Sequence, residues 1–132
     1  GIATLAEMGP YNVTKAGVIS LSETLRTELL KDKIGVTVVC PTFFKTNLMD
    51  QCRYTDQHQM DMANAFFEKS MCGAEDISCH IIKCVRKNKL YALKQIDARF
   101  AWRFKRMFPE TYYKLLGFVY SRGLMDKVLG VK

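Results

Sequence analysis

Residues Tyr11 to Gly17 read YNVTKAG. The tyrosine and lysine of this stretch are four residues apart, so on a helix they share one face, about 6 Å apart along the axis. An ammonium group that close stabilises a phenolate, which makes Tyr11 a candidate general acid/base assisted by Lys15. On spacing alone, a surface lysine lying over a partly buried ring is the commoner arrangement, so the neighbouring sequence has to decide.

The spacing of apolar residues predicts that the helix continues beyond Gly17. A helix is predicted from Tyr11 to Leu30, with one buried stripe at intervals of three and four: Val18, Leu21, Leu25 and Leu29. A charged turn follows, and then the β-branched run Val36–Val39, which is typical of a central parallel strand covered on both faces. Pro41 ends this strand, and the sequence therefore predicts a helix–strand–loop unit.

These segments resemble the short-chain dehydrogenase/reductase family. Residues 11–25 are similar to the family's active-site helix, and residues 34–46 to the next core strand with its P-G-x-x-x-T cofactor loop. The likeness covers residues 1–48 and, less closely, 73–93. One departure is Thr42, which stands where the family has a glycine after the proline and narrows the permitted backbone angles.

The resemblance implies an α/β fold, namely the C-terminal part of a doubly wound parallel-sheet (Rossmann-like) domain with a helical C-terminal extension. We expect residues 1–97 to form the C-terminal half of the catalytic domain and residues 98–132 a basic aromatic helical extension. The Gly-rich nucleotide-binding half and the catalytic serine would lie upstream of Gly1, so we expect this chain alone to be inactive. A helix opening at Gly73 and a last strand over Leu90–Leu93 complete the expected core.

The resemblance also implies hydride transfer between NAD or NADP and a carbonyl or secondary alcohol. Tyr11 would exchange a proton with the substrate oxygen and help to bind the cofactor, and Lys15 would favour the phenolate and bind the nicotinamide ribose. Pro41, Phe44 and Thr46 would hold the cofactor in the loop that follows the strand. Ligands of open α/β sheets bind beyond the carboxyl ends of the strands, where this loop falls.

A substrate pocket is predicted from five apolar residues of the segment that forms a variable flap in family members: Phe43, Leu48, Met49, Phe66 and Phe67. Methionine and phenylalanine suit an adaptable pocket, which favours a lipophilic small molecule. The alternative is that these side chains only cover the core, and the sequence leaves both interpretations open. A helix is expected within residues 63–69.

Composition narrows the class of protein. The 132 residues make one domain's worth of chain, and 48% of them are hydrophobic, which is ample for a core. The five cysteines form no C-x-x-C pair, which favours reduced thiols in the cytoplasm over a disulfide framework. His58 and His80 lack ligand spacing to any cysteine pair, so no metal site is predicted.

The net charge of +7 belongs to the tail. Residues 1–97 hold twelve basic and eleven acidic residues, whereas residues 98–132 hold eight and two. On a helix, Arg99, Arg103 and Arg106 fall on one stripe. The neighbouring stripe is apolar and consists of Phe100, Phe104, Met107 and Phe108. Pro109 breaks this helix and a second one follows. The pattern of residues 98–120 therefore predicts either peripheral membrane contact or contact with protein. Binding to nucleic acid is not predicted, because no binding motif is present.

Partners and rival functions follow from the same resemblance. In family members the helix corresponding to Tyr11–Leu30 packs on its symmetry mate, so a homo-oligomer, either dimer or tetramer, is expected. One rival is a catalytically degenerate member that binds a membrane or a partner through its basic tail. The other is a sugar-nucleotide epimerase or dehydratase, which shares Y-x-x-x-K, although the short layout of this chain is closer to the dehydrogenases.

Overall fold

A computed structural model describes residues 2, 4, 6–44, 57–70 and 72–130. The described part is mostly helical and contains two short strands. In chain order the elements are α1 (Gly9–Glu28), β1 (Val38–Val39), α2 (Gln57–Glu68), α3 (Ala74–Arg86), β2 (Tyr91–Ala92), α4 (Ile96–Met107), α5 (Pro109–Ser121) and α6 (Leu124–Leu129). No helix in these residues is long and apolar enough to cross a membrane.

The chain forms two compact units. The first unit comprises Gly1–Thr42 and Ile77–Arg103, and the second comprises Phe43–Asp76 and Phe104–Lys132. The first therefore contains α1, both strands and most of α3, whereas the second contains α2, α5 and α6. The predicted boundary at residue 97 separates the catalytic domain from the helical extension. It is a different kind of division from these two compact units, and it stays a prediction.

The two strands pair in parallel, as the helix–strand order of the sequence predicts. Val38 lies opposite Tyr91 and Val39 opposite Ala92. Both strands are shorter than predicted, since Val36 and Thr37 precede β1 and Leu90 and Leu93 flank β2 without belonging to the ladder. Thr37 instead donates its hydroxyl to the Lys89 carbonyl at 2.8 Å, so a side chain takes the place of a ladder bond.

The buried core of the first unit lies around this pair of strands. Its members are Val38, Ile77, Cys84, Ala92 and Leu93. The apolar residues of α3 predict one buried face, formed by Ile77, Ile81, Ile82 and Val85. This prediction is partly wrong, because Ile77 is buried but Ile82 and Val85 are exposed. Cys84 takes their place because it lies seven residues after Ile77, two helical turns along the same face.

The N-terminal end of α3 forms as predicted. Gly73 directly precedes the helix, and its backbone N–H donates to the carboxylate of Asp76 at 3.4 Å. A side chain at the third helical position that bonds back to the residue before the helix is half of a capping box. Glu75 and Asp76 also place negative charge in the first turn, where the helix dipole favours it.

Helix α1 is longer at its start and shorter at its end than predicted, running from Gly9 to Glu28. Pro10 lies in its first turn, where a missing N–H costs no helical hydrogen bond. The predicted buried stripe was wrong for Val18 and Leu21, which are exposed, and none of the helix's residues is buried. Two strands of two residues offer too little surface to cover a helix of 20 residues.

The C-terminal end of α1 is fixed by a polar contact to the turn after α3. The Arg26 guanidinium donates to the Asn88 side-chain oxygen, and its other nitrogen donates to the Asn88 carbonyl at 3.0 Å. Gly35 passes so close that a Cβ there would lie 2.5 Å from the Asn88 side chain. The glycine thus allows the chain entering β1 to approach this contact.

The tail is interrupted at Pro109, as predicted, but it contains a further helix that the sequence did not predict. Pro109 begins α5 directly after α4, as its position indicates. A third helix of the tail, α6, was missed by the prediction. It is bounded by Gly123 and Gly130, both with left-handed backbone angles (φ 57° and 74°) that glycine adopts without strain.

Candidate active site

Helix α1 presents Tyr11 and Lys15 together on one exposed face. The Lys15 ammonium lies 5.4 Å from the centre of the Tyr11 ring. The tyrosine is 52% exposed, so a ligand can reach its hydroxyl. Backbone bonding begins at once in this helix, with the Asn12 N–H donating to the Met8 carbonyl at 2.8 Å. The rigid spacing of the first two turns therefore holds the cation beside the phenol.

Thr14 stabilises the same turn without competing for the phenol. Its hydroxyl donates to the Tyr11 carbonyl at 2.8 Å. A threonine that bonds the carbonyl three residues back keeps its hydroxyl on the helix backbone. In this arrangement the Tyr11 hydroxyl and the Lys15 ammonium are the groups that can exchange a proton with, or bind, a ligand at this face.

The loop after β1 leaves the carboxyl end of the parallel strands, as predicted. The Cys40 N–H donates to the Ala92 carbonyl at 3.1 Å, which extends the pairing by one bond beyond the ladder. Pro41 follows and is exposed. Thr42 is not among the described non-glycine residues with positive φ, which are Glu7, Lys33 and Asn88. The threonine therefore occupies the glycine's place in a backbone conformation open to any residue.

Gln95 contributes to this loop and was missed by the sequence reasoning. Its side-chain oxygen accepts a long hydrogen bond from the Thr42 backbone N–H, at 3.5 Å. Its amide nitrogen is buried and has no hydrogen-bond partner within the described residues. A buried donor of this kind is costly unless something accepts from it. The only signal in the sequence was a polar residue just after the last predicted strand, where parallel strands end together.

The predicted pocket residues that the structure describes lie in the second unit. The Phe43 ring stacks on Phe66 at 4.5 Å between ring centres and meets Phe67 edge-on at 5.3 Å. The Ser70 hydroxyl donates to the Phe43 carbonyl at 2.8 Å and fixes the backbone there. Phe44 is half-buried in the same unit. The aromatic cluster Phe43–Phe66–Phe67 is thus real, and its role as a substrate pocket stays a prediction.

Three further predicted site residues lie outside the described residues: Thr46, Leu48 and Met49. Lys15 and Pro41 belong to the first unit with Tyr11, whereas Phe44 belongs to the second. Within the described residues, no group of three or more His, Cys, Asp or Glu could hold a metal ion. Burial raises the pKa of the Cys40 thiol, so the cysteine at the end of β1 stays protonated near neutral pH.

Comparison with known proteins gives two kinds of match, a family model and curated relatives. Residues 1–57 match the family model of short chain dehydrogenase, a range that includes Tyr11, Lys15 and the loop after β1. The chain is also 24% identical over 117 residues to proteins called "Probable oxidoreductase EphD" from Mycobacterium bovis and Mycobacterium tuberculosis. That alignment covers 83% of this chain and 20% of each relative, so the chain spans about a fifth of their length. No solved structure matches.

Proposed function

We propose that this chain is the C-terminal half of the catalytic domain of a short-chain dehydrogenase, an NAD(P)-dependent oxidoreductase. The observation that carries the proposal is the Tyr11–Lys15 pair, exposed on one helix face within the stretch that matches the family. The parallel strand pair, with a loop and a polar side chain at its carboxyl end, supports it. Substrates would be carbonyl compounds or secondary alcohols.

The cofactor's chemistry would be the supply or removal of a hydride at the substrate carbon. In the direction of reduction, Tyr11 gives its hydroxyl proton to the carbonyl oxygen as charge develops there, so one hydride and one proton yield the alcohol. In oxidation the Tyr11 phenolate takes that proton back. The Lys15 ammonium places a positive charge beside the Tyr11 ring and can donate hydrogen bonds to the ribose hydroxyls.

The residues around the loop suit a bound dinucleotide. Thr42 keeps its backbone in an ordinary conformation, and the buried amide nitrogen of Gln95 is a donor that lacks an acceptor in the described residues. Pro41 is exposed beside them. Phe44 and Thr46 complete the proposed cofactor loop, and the cluster Phe43–Phe66–Phe67, with Leu48 and Met49, forms the proposed lipophilic pocket.

The proposal includes a homo-oligomer formed through α1. Val13, Val18 and Leu21 are exposed on this helix, and Ala16 and Gly17 are small enough to let a second backbone approach. Sedimentation velocity of the full chain tests this: Leu21→Glu should lower the observed mass to that of one protomer. An unchanged mass would show that α1 is not the interface.

The experiment that tests the catalytic role is Tyr11→Phe in the full-length protein. Turnover is measured with NADH and NADPH on a panel of aliphatic and aromatic ketones, and cofactor binding by nicotinamide fluorescence. We expect turnover to fall about 10²–10⁴-fold, because the acid/base is lost, while the dissociation constant of the cofactor changes little.

Tyr113→Phe is the matched control. Tyr113 also lies under a lysine, with the Lys105 ammonium 5.7 Å from its ring centre, but it lies outside the family match. It should keep normal turnover. If Tyr11→Phe keeps normal turnover, Tyr11 is not the acid/base. If the unmodified protein neither binds NAD(P)H nor turns over any ketone, the degenerate alternative replaces the proposal.

A further inference from the structure

Helix α4 carries an exposed apolar stripe flanked by arginines. Ile96 and Phe100 are each 68% exposed, and Met107, three turns after Ile96 on the same helix, is 69% exposed. With 100° per residue, these three side chains fall within a narrow sector of the helix. Arg99 and Arg103 are exposed beside them, each three residues from a member of the stripe.

The side of α4 that carries Trp102 is the one that contacts β2, and both belong to the first unit. The Trp102 ring contacts the Tyr91 ring of β2 at 5.1 Å between centres. The Tyr91 hydroxyl in turn donates to the Glu23 carboxylate of α1. Trp102 is rotated well away from Phe100 around the helix axis, so this anchoring turns the apolar stripe outward.

The charge of this face selects its partner. Helix α4 contains four basic residues and one acidic residue, Asp97. A second copy of the chain that packed through this same face of α4 would bring arginines against arginines, which electrostatic repulsion disfavours. An anionic lipid surface offers both partners that this face lacks. One is a hydrocarbon boundary for Ile96, Phe100 and Met107, and the other is a layer of phosphate groups for the arginines.

We propose that the outward face of α4, formed by Ile96, Arg99, Phe100, Arg103 and Met107, binds the surface of an anionic bilayer. The helix lies flat in the interface, with the apolar side chains entering the acyl boundary. The arginine stems cover apolar surface while their guanidinium groups reach the headgroup phosphates. This binding needs neither Tyr11 nor a cofactor, so it is independent of the proposed catalysis.

The test uses the full chain and sedimentation with two kinds of vesicle, phosphatidylcholine alone and an equal mixture with phosphatidylglycerol. We expect the chain to partition onto the anionic vesicles only, and less so at high salt. Arg99→Gln with Arg103→Gln should weaken partition by about tenfold or more, and Phe100→Ser with Met107→Ser should abolish it. Circular dichroism checks that each variant keeps its helical content.

The charge-matched control is Lys83→Gln with Lys87→Gln, which removes the same charge from exposed positions on and after α3. It should change partition little. If it weakens partition as much as the arginine variant does, the chain binds only through its net charge and the α4 site is overturned. Absence of partition onto the anionic vesicles also overturns it.

A spectroscopic readout locates the contact. Trp102 is the one tryptophan of the sequence, so Phe100→Trp in a Trp102→Phe background places a single reporter in the stripe. Its emission should shift to shorter wavelength with anionic vesicles. No shift despite partition would place the contact elsewhere. A shift in solution, dependent on protein concentration and without vesicles, would identify a second copy as the occupant and overturn the proposal.

Discussion

Two regions of this molecule each hold a lysine ammonium over a tyrosine ring, at nearly the same distance. On α1 Lys15 lies 5.4 Å from the Tyr11 ring centre, and in the tail Lys105 of α4 lies 5.7 Å from that of Tyr113 on α5. The tyrosines are 52% and 45% exposed. As isolated pairs they are nearly the same, which shows that a cation over a phenol does not by itself define a catalytic site.

The surroundings separate the two pairs. Tyr113 packs edge-on against Tyr112, and Tyr112 contacts Phe104, so the tail pair belongs to an aromatic cluster that joins helices. Burial, and then the neighbouring Tyr113, raise the pKa of Tyr112, which keeps that phenol protonated. Tyr11 and Lys15 instead sit one turn apart in the stretch that matches short chain dehydrogenase. Sequence context, rather than pair geometry, gives the first region its proposed chemistry.

The largest expected difference between the two pairs appears when each lysine is replaced in turn. Lys15→Gln in the full-length protein should lower turnover of a ketone with NAD(P)H by about a hundredfold, because the cation beside the proposed acid/base and its proposed hydrogen bonds to the ribose are lost. Lys105→Gln should leave turnover unchanged. The measurement is kcat and KM for both variants. Equal losses would mean that the two pairs do not differ in function.

The second test concerns the loop beside the first pair. Gln95→Leu removes the acceptor for the Thr42 N–H and the buried amide donor, so the KM for the cofactor should rise about fivefold to tenfold, which corresponds to one lost hydrogen bond. Gln95→Glu keeps an acceptor oxygen for Thr42. If Gln95→Glu has the KM of the unmodified protein, the contact to Thr42 is the one that supports cofactor binding. If its KM rises as in Gln95→Leu, the amide donor is the group that supports it. An unchanged KM in Gln95→Leu would remove Gln95 from the site.

The third test asks how firmly α1 is held. Arg26→Ala removes both bonds from α1 to Asn88, and we expect the free energy of unfolding to fall by about 1 kcal/mol, since the contact is exposed to solvent. Arg86→Ala, an exposed arginine in the last turn of α3, is the control. Urea unfolding of both variants compares them. Equal stability would show that the Asn88 contact does not anchor α1.

The smallest effect is a difference in thiol reactivity. The pKa of Cys40 is raised by burial, so its thiolate fraction is below that of an ordinary thiol at every pH below that pKa. Cys79 is exposed on α3. Iodoacetamide should therefore label Cys79 severalfold faster near neutral pH, and labelling of Cys40 should rise as the pH increases, which mass spectrometry can follow. Faster labelling of Cys40 would contradict its burial at the end of β1.

The elements that the sequence located correctly are those with strong local signals. The apolar spacing marked α1, the run Val36–Val39 marked β1, and Gly73 marked the start of α3. Pro109 separated α4 from α5. Periodicity was less reliable for burial, because it shows which residues share a face but not whether another element covers that face. Val18, Leu21, Ile82 and Val85 are exposed for this reason.

The Tyr11–Lys15 pair and the helix–strand–loop order around it can be read from the amino-acid sequence alone. Helical spacing and β-branched runs are properties of neighbouring residues, so no distant contact is needed to read them. Tertiary structure alone decided that Gln95 meets Thr42, that Cys84 rather than Val85 enters the core, and that the Phe100 side of α4 faces outward. Each of these depends on which residues, far apart in the chain, come to lie together, and local spacing carries no information about that.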